Sequence, residues 1–398
     1  MGLLDGVGTS NLFTSSASQD AAREGVAQNV LSGGVEAFQQ QNYNEALTKF
    51  KQAAALAPRS ATAINAYAYM AQVYQSQGDV NSAIDVYKKS LQADNQNLDT
   101  HIALGNLYIT ANRPQDAQAE YEKAVRIDPS ASTRYYLGQA YIQTGEYGKA
   151  EQEFQRIKNL QPNSPYGDFG LGQTYAKAGR YTDAINAFGA AIGRKPDYWE
   201  AYSEMGYAYA DMGNFDQANK IATQLSAQYK QGALALSLSA YIVQKTPPKM
   251  DARLSTGTFL ASLGPGSNLP VLGAGLATAN AQQLTSIVFS FNGPMDPRSV
   301  ENVMNWNISR AIGTNLANTY NNGWAPPSTE VQLPGTPVAV QYDRQKMTAT
   351  VYFNITQNAA ANGTIDPSHI QFTFKGVSAN GVAIDPTAND YTGFSGFF

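Results

Sequence analysis

From about residue 28 to 230 the chain repeats itself roughly every 34 residues, and this period limits what it can fold into more than any other feature. A small residue followed three positions later by tyrosine recurs as Gly105 and Tyr108, Gly138 and Tyr141, Gly172 and Tyr175, Gly206 and Tyr209. A second set follows each first one: Ala117 with Tyr121, Ala150 with Phe154, Ala184 with Phe188, commonly closed by a proline (Pro58, Pro129, Pro162, Pro196). Aligned on the alanine, the copies fall at Ala46, Ala83, Ala117, Ala150, Ala184 and Ala218, with one insertion of three residues near Ser60–Thr62. Each copy has the apolar spacing of two amphipathic helices. Turn formers such as Gln77–Gly78–Asp79 and Met212–Gly213–Asn214 separate them. A single copy cannot bury its apolar face, so the copies must stack into one continuous core.

Period and pattern together resemble the tetratricopeptide repeat, which implies a six-repeat α-solenoid over residues 27–245, with Gly232–Lys245 as a capping helix. In that family the residue after the small position points into the concave groove. The resemblance therefore implies a protein-binding groove formed by Gln72, Asn106, Gln139, Gln173 and Tyr207, with Tyr135 and Phe169 from the series four residues earlier. Amides both donate and accept, so such a ladder suits an extended peptide backbone of any charge; the alternative is a solvated polar face. Repeats of this family that clamp a terminal carboxylate carry Lys and Arg at these positions. This chain has none there, which speaks against that ligand.

After the solenoid the chemistry changes. Residues 246–282, rich in Gly and Pro, have the composition of a linker or of an arm that packs on a surface. From residue 283 to 398 the period becomes two: Thr285–Phe291, Asn305–Ser309, Val338–Tyr342, Thr348–Phe353 and His369–Phe374 are expected strands of an antiparallel sandwich. The run Phe289, Met295, Asp296, Pro297, Ser299, Val300 resembles the opening of bacterial Ig-like domains of S-layer and other cell-surface proteins, and Asn315–Pro337 is expected to be a long surface loop.

Charged residues make up 15% of the chain and the formal net charge is −4, so no basic stripe exists to hold nucleic-acid phosphates. With no cysteine and two histidines, His101 and His369, thiol chemistry and Cys/His metal sites are excluded. No nucleotide-binding loop or zinc-protease motif occurs, so neither a cofactor nor catalysis is expected. No stretch is long and apolar enough to span a membrane, and residues 1–26 have neither the positive start nor the apolar run of a secretory signal. The tails carry apolar groups, Leu3, Leu4, Leu12 and Phe13 at one end and Phe394, Phe397 and Phe398 at the other.

These features together suggest a structural protein whose partners are copies of itself. Its terminal segments would insert into the next subunit of a filament or layer, extracellular or at the cell surface. The alternative is an adaptor or periplasmic assembly factor whose groove holds an extended segment of another protein.

Overall fold

A computed structural model describes residues 10–228, 230, 232–254 and 257–392, which form two compact units divided between Leu238 and Ser239. Leu3, Leu4, Phe394, Phe397 and Phe398 lie outside the described residues. Leu12 and Phe13 fall within the first helix, their side chains outside what is described.

The first unit is a solenoid of antiparallel helix pairs. Six pairs follow in order: α1 (Ser10–Gln39) with α2 (Tyr43–Leu56), α3 (Ala61–Ser76) with α4 (Val80–Ala93), α5 (Leu98–Thr110) with α6 (Pro114–Ile127), α7 (Ala131–Gln143) with α8 (Tyr147–Leu160), α9 (Tyr166–Lys177) with α10 (Tyr181–Arg194), and α11 (Trp199–Asp211) with α12 (Phe215–Ser226). Helix α13 (Gly232–Lys245) follows the last pair.

One packing device repeats through the pairs. The aligned alanines Ala46, Ala83, Ala117, Ala150, Ala184 and Ala218 are all fully buried, where two backbones approach. Sixteen residues after each small position of the first helix comes the large side chain that covers it. A Cβ added to Gly34, Gly105, Gly138 or Gly172 would stand 2.4–2.7 Å from the ring of Phe50, Tyr121, Phe154 or Phe188. In the sixth pair that covering position is Ala222, too small for the task; Leu238 of α13 comes down on Gly206 instead and is fully buried.

The turn inside each pair is also repeated. Gln41, Gly78, Asn112, Gly145, Gly179 and Gly213 take φ of 60, 76, 56, 78, 74 and 82°, the left-handed region. The next residue then donates its N–H back to the first helix, for example Asp79 to Tyr74 O and Arg180 to Tyr175 O, each at 2.8 Å. This is a left-handed helix stop, for which glycine and asparagine are suited.

The second unit is β-rich with antiparallel sheets. A four-stranded sheet has the order β1-β3-β6-β5, built from β1 (Met250–Leu254), β3 (Gln282–Phe291), β6 (Thr348–Thr356) and β5 (Ala339–Asp343). A three-stranded sheet, β4-β8-β9, holds β4 (Trp306–Arg310), β8 (Ile370–Phe374) and β9 (Asp390–Thr392). A short pair joins β2 (Ser267–Asn268) to β7 (Thr364–Ile365). Phe289 of β3 meets Trp306, Phe372 and Tyr391 of the other sheet at ring-centroid distances of 5.3–5.8 Å, so both sheets share one core.

Residues 246–282 do more than connect. They supply the edge strand β1 and the buried side chains of Phe259, Ala261, Leu269, Leu272 and Leu276, which join the core shared by both sheets; Phe259 stands edge-on to Phe353 at 5.2 Å.

Candidate protein-binding groove

The first helix of each pair carries the amide series. Gln72 of α3 and Asn106 of α5 are exposed, whereas Gln139 of α7, Gln173 of α9 and Tyr207 of α11 are half-buried. The structure brings part of the series into contact. Gln139 Nε2 donates to Gln173 Oε1 at 2.7 Å across successive pairs, and the Tyr135 phenol is hydrogen-bonded to the Gln139 amide. Tyr135, Gln139 and Gln173 thus form one polar line over α7 and α9. Asn106 Oδ1 accepts from the Tyr121 hydroxyl at 2.7 Å, so it serves the packing of its own pair. Gln72 shares a shallow hollow between α1 and α3 with Val35, Glu36 and Tyr69.

Phe169 is not a groove wall. It is 6% exposed, with its ring 4.8 Å from Tyr198 and 5.8 Å from Phe188, so it belongs to the core between the fifth and sixth pairs. The glycines around it, Gly167 and Gly170, let α9 approach α8 of the preceding pair closely: an added Cβ at Gly170 would overlap Phe154. Tyr135 is half-buried and set edge-on to Phe154 at 5.7 Å and Tyr166 at 6.2 Å.

Tyr166 and Tyr198 were not foreseen from spacing. Tyr166 stands 6.1 Å from Tyr198 and 49% exposed, and the two extend the aromatic line that Tyr135 begins. Both precede or open their helices, outside the periodic face, so the helical period gives no signal for them. Burial raises the Tyr135 and Tyr198 phenols above the ordinary tyrosine range, so both stay neutral donors. Burial also raises the Glu204 carboxyl on α11, with Lys177 opposing that shift. Glu204 lies close enough to Tyr135 to act on its phenol, so a carboxyl that resists ionisation borders these uncharged amides and phenols.

Neither histidine has the arrangement that nucleophilic catalysis needs. His101 Nδ1 lies 2.6 Å from Glu120 and its Nε2 3.1 Å from the Asn95 carbonyl, tying α5 to α6. His369 Nδ1 faces both Asp366 (2.7 Å) and Ser368 (3.0 Å), while Nε2 faces the Ala317 carbonyl at 2.8 Å. In a hydrolytic triad the serine and the aspartate occupy opposite ring nitrogens. Among the described residues no cluster of three or more His, Cys, Asp or Glu could hold a metal ion, and no helix is long and apolar enough to cross a membrane.

Comparison with known proteins bears on the helical region. Three family models, each described as tetratricopeptide repeat, match residues 27–96, 102–166 and 175–242. The human tetratricopeptide repeat protein 13 (Homo sapiens) is 32% identical over 97 residues, which are 24% of this chain and 11% of that protein. The chain thus matches about a tenth of that relative's length. Among solved structures, a tetratricopeptide repeat protein from Parabacteroides merdae ATCC 43184 is 19% identical, covering 54% of this chain and 85% of its own, with a TM-score of 0.48. PilW, described as a widely conserved type IV pilus biogenesis factor, is 21% identical over 54% of this chain and 98% of its own, with a TM-score of 0.43. MamA is 31% identical over 43% and 95%, with a TM-score of 0.34. The helical part of this chain is an array of tetratricopeptide repeats.

Proposed function

We propose that the protein is a non-catalytic adaptor or assembly factor whose solenoid holds an extended, largely uncharged segment of another protein. The observation that carries this reading is the Tyr135–Gln139–Gln173 line, a half-buried set of neutral donors and acceptors running from pair to pair. An extended strand presents alternating N–H and C=O groups, and amides can satisfy both. A groove whose polar groups are mostly neutral binds with little dependence on salt.

The β-rich unit is read here as an Ig-like sandwich of the bacterial cell-surface type, in the role of anchor or spacer. Two antiparallel sheets over one aromatic core support that reading. An extracellular or cell-surface location goes with it.

The test is binding of neutral, acidic and basic extended peptides to the full chain by fluorescence anisotropy, with Gln173→Ala beside the wild type. Neutral peptides should bind best, lose about tenfold in affinity in the variant, and keep their affinity as salt is raised. Binding that is indifferent to Gln173, or that vanishes with salt, would overturn the reading.

A second reading, assembly of the chain with copies of itself, is favoured by a specific exposed loop in the β-rich unit.

A further inference from the structure

The connection from β4 to β5 runs from residue 311 to 338, and its first nineteen residues, 311–329, carry no charged side chain. It presents large apolar groups to solvent: Ile312 is 92% exposed, Leu316 67% and Trp324 78%. Such groups on an exposed connection mark a contact surface when the backbone beneath them is fixed.

Here the backbone is fixed by buried polar groups. Tyr320, 5% exposed, bonds through its hydroxyl to Glu330 and accepts the Asp366 N–H at 3.1 Å. Asp366, fully buried, accepts the Asn321 N–H at 2.7 Å. His369 holds the Ala317 carbonyl at 2.8 Å and, through its own carbonyl, the Ala311 N–H at 2.9 Å. Asn321, Asn322 and Gly323 then turn through the left-handed region, with φ of 51, 50 and 77°. Trp324 leaves that turn at φ −78° and ψ 150°, polyproline II geometry, which the prolines of the following Ala325–Pro326–Pro327 favour. The conformational cost of presenting this segment is met before anything binds it.

The solenoid has a site of matching chemistry. Between α7, α8 and α9 lies a cavity of about 390 Å³ whose walls are Tyr135, Tyr136, Tyr166 and Ile157, with Gln161 at its polar edge and no charged residue in its lining. Aromatic walls with a hydrogen-bonding amide are the means by which preformed proline-rich segments are held.

We propose that Trp324–Pro327 of one copy seats in the Tyr135–Tyr136–Tyr166 cavity of a second copy. The occupant follows from the absence of charge on both surfaces and from the pairing of a stiff Trp–Ala–Pro–Pro segment with tyrosine walls. The donor and acceptor patches differ, so the contact is heterologous: in a joined pair one copy keeps an unused cavity and the other an unused loop, and association continues head to tail. This rests on the reading of the solenoid as a binder of protein segments and assigns one of its occupants.

The test is sedimentation of the full chain over a concentration series, with Trp324→Ala, Tyr166→Ala and their equimolar mixture; both side chains are substantially exposed, so circular dichroism should show intact folds. The wild type should associate, each variant alone should associate at least about tenfold more weakly, and the mixture should recover association but stop at dimers. A synthetic peptide of residues 322–329 should bind the wild type and not Tyr166→Ala. A wild type that stays monomeric throughout, or association unchanged by both substitutions, overturns the proposal. So does Trp324-dependent binding to zwitterionic lipid vesicles without self-association, which would assign the loop to a membrane surface. Peptide binding at Gln173 is read separately, so failure here leaves the adaptor reading to its own test.

Discussion

At the scale of single residues, the solenoid turns on contacts too close for a methyl group. Gly138 sits mid-helix, where alanine would ordinarily be better by up to about 1 kcal/mol. Yet its added Cβ would lie 2.7 Å from the fully buried Phe154 ring, which has no room to retreat. Gly189, in the middle of α10, has open space around it. Gly138→Ala should therefore lower stability by about 1–3 kcal/mol and Gly189→Ala raise it by about 0.5–1 kcal/mol, read by urea denaturation. Equal effects would mean that helix propensity, not the aromatic contact, sets the small position. Glu204 gives a pH-dependent case. Its folded pKa is raised by burial above the unfolded value, so the folded state is penalised as pH rises and the penalty is absent at low pH. Glu204→Gln should thus raise the melting temperature at neutral pH, with the gain shrinking to nothing below about pH 4, the unfolded carboxylate range. A gain that is independent of pH would assign the effect to packing.

At the scale of elements, the helix pairs were legible in the sequence because each alanine, small residue and aromatic contributes to one local contact that recurs. Elements without a repeating signal were not. Strand β1 is a single pass of mixed polar and apolar residues, and its pairing with β3 spans a sequence separation that no local pattern encodes. Spacing places Phe169 in the groove series, but its burial comes from the Phe188 and Tyr198 rings closing over it, a contact that spacing along one helix does not encode. The network from Tyr320 to Asp366 joins residues 46 apart and was equally hidden, although the length of its loop was visible. Helix α13 shows both sides: its apolar spacing marks a cap, while its specific task follows only from Ala222 being too small to cover Gly206. Leu238→Ala would leave a cavity against Gly206 and Ile221 and should cost about 2–5 kcal/mol in the last repeat, seen as faster hydrogen exchange in α11 and α12. Exchange unchanged in those helices would remove α13 from the stability of the array.

At the scale of the molecule, the two units are stabilised in different ways. The solenoid gains stability between neighbouring pairs, so its unfolding spreads along the array and need not be all-or-none. The β-rich unit folds around one core of long-range contacts, with Phe289, Trp306, Phe353, Phe372 and Phe374 almost wholly removed from water, and it should unfold in one step. Two spectroscopic probes separate them. Far-ultraviolet circular dichroism is dominated by the helices, whereas Trp306, 2% exposed with its indole N–H donating to the Val300 carbonyl at 2.8 Å, reports the β core. In a Trp199→Phe, Trp324→Phe background the denaturation curves from the two probes should have different midpoints, and adding Leu238→Ala should move the helical curve alone. The boundary between Leu238 and Ser239 falls inside α13, which makes this a demanding test, because one continuous helix could carry the disturbance across. Coincident curves that shift together would show that the two cores unfold as one. The loop and the cavity would then belong to a single cooperative body, and a substitution in either would be expected to disturb the other even in the monomer.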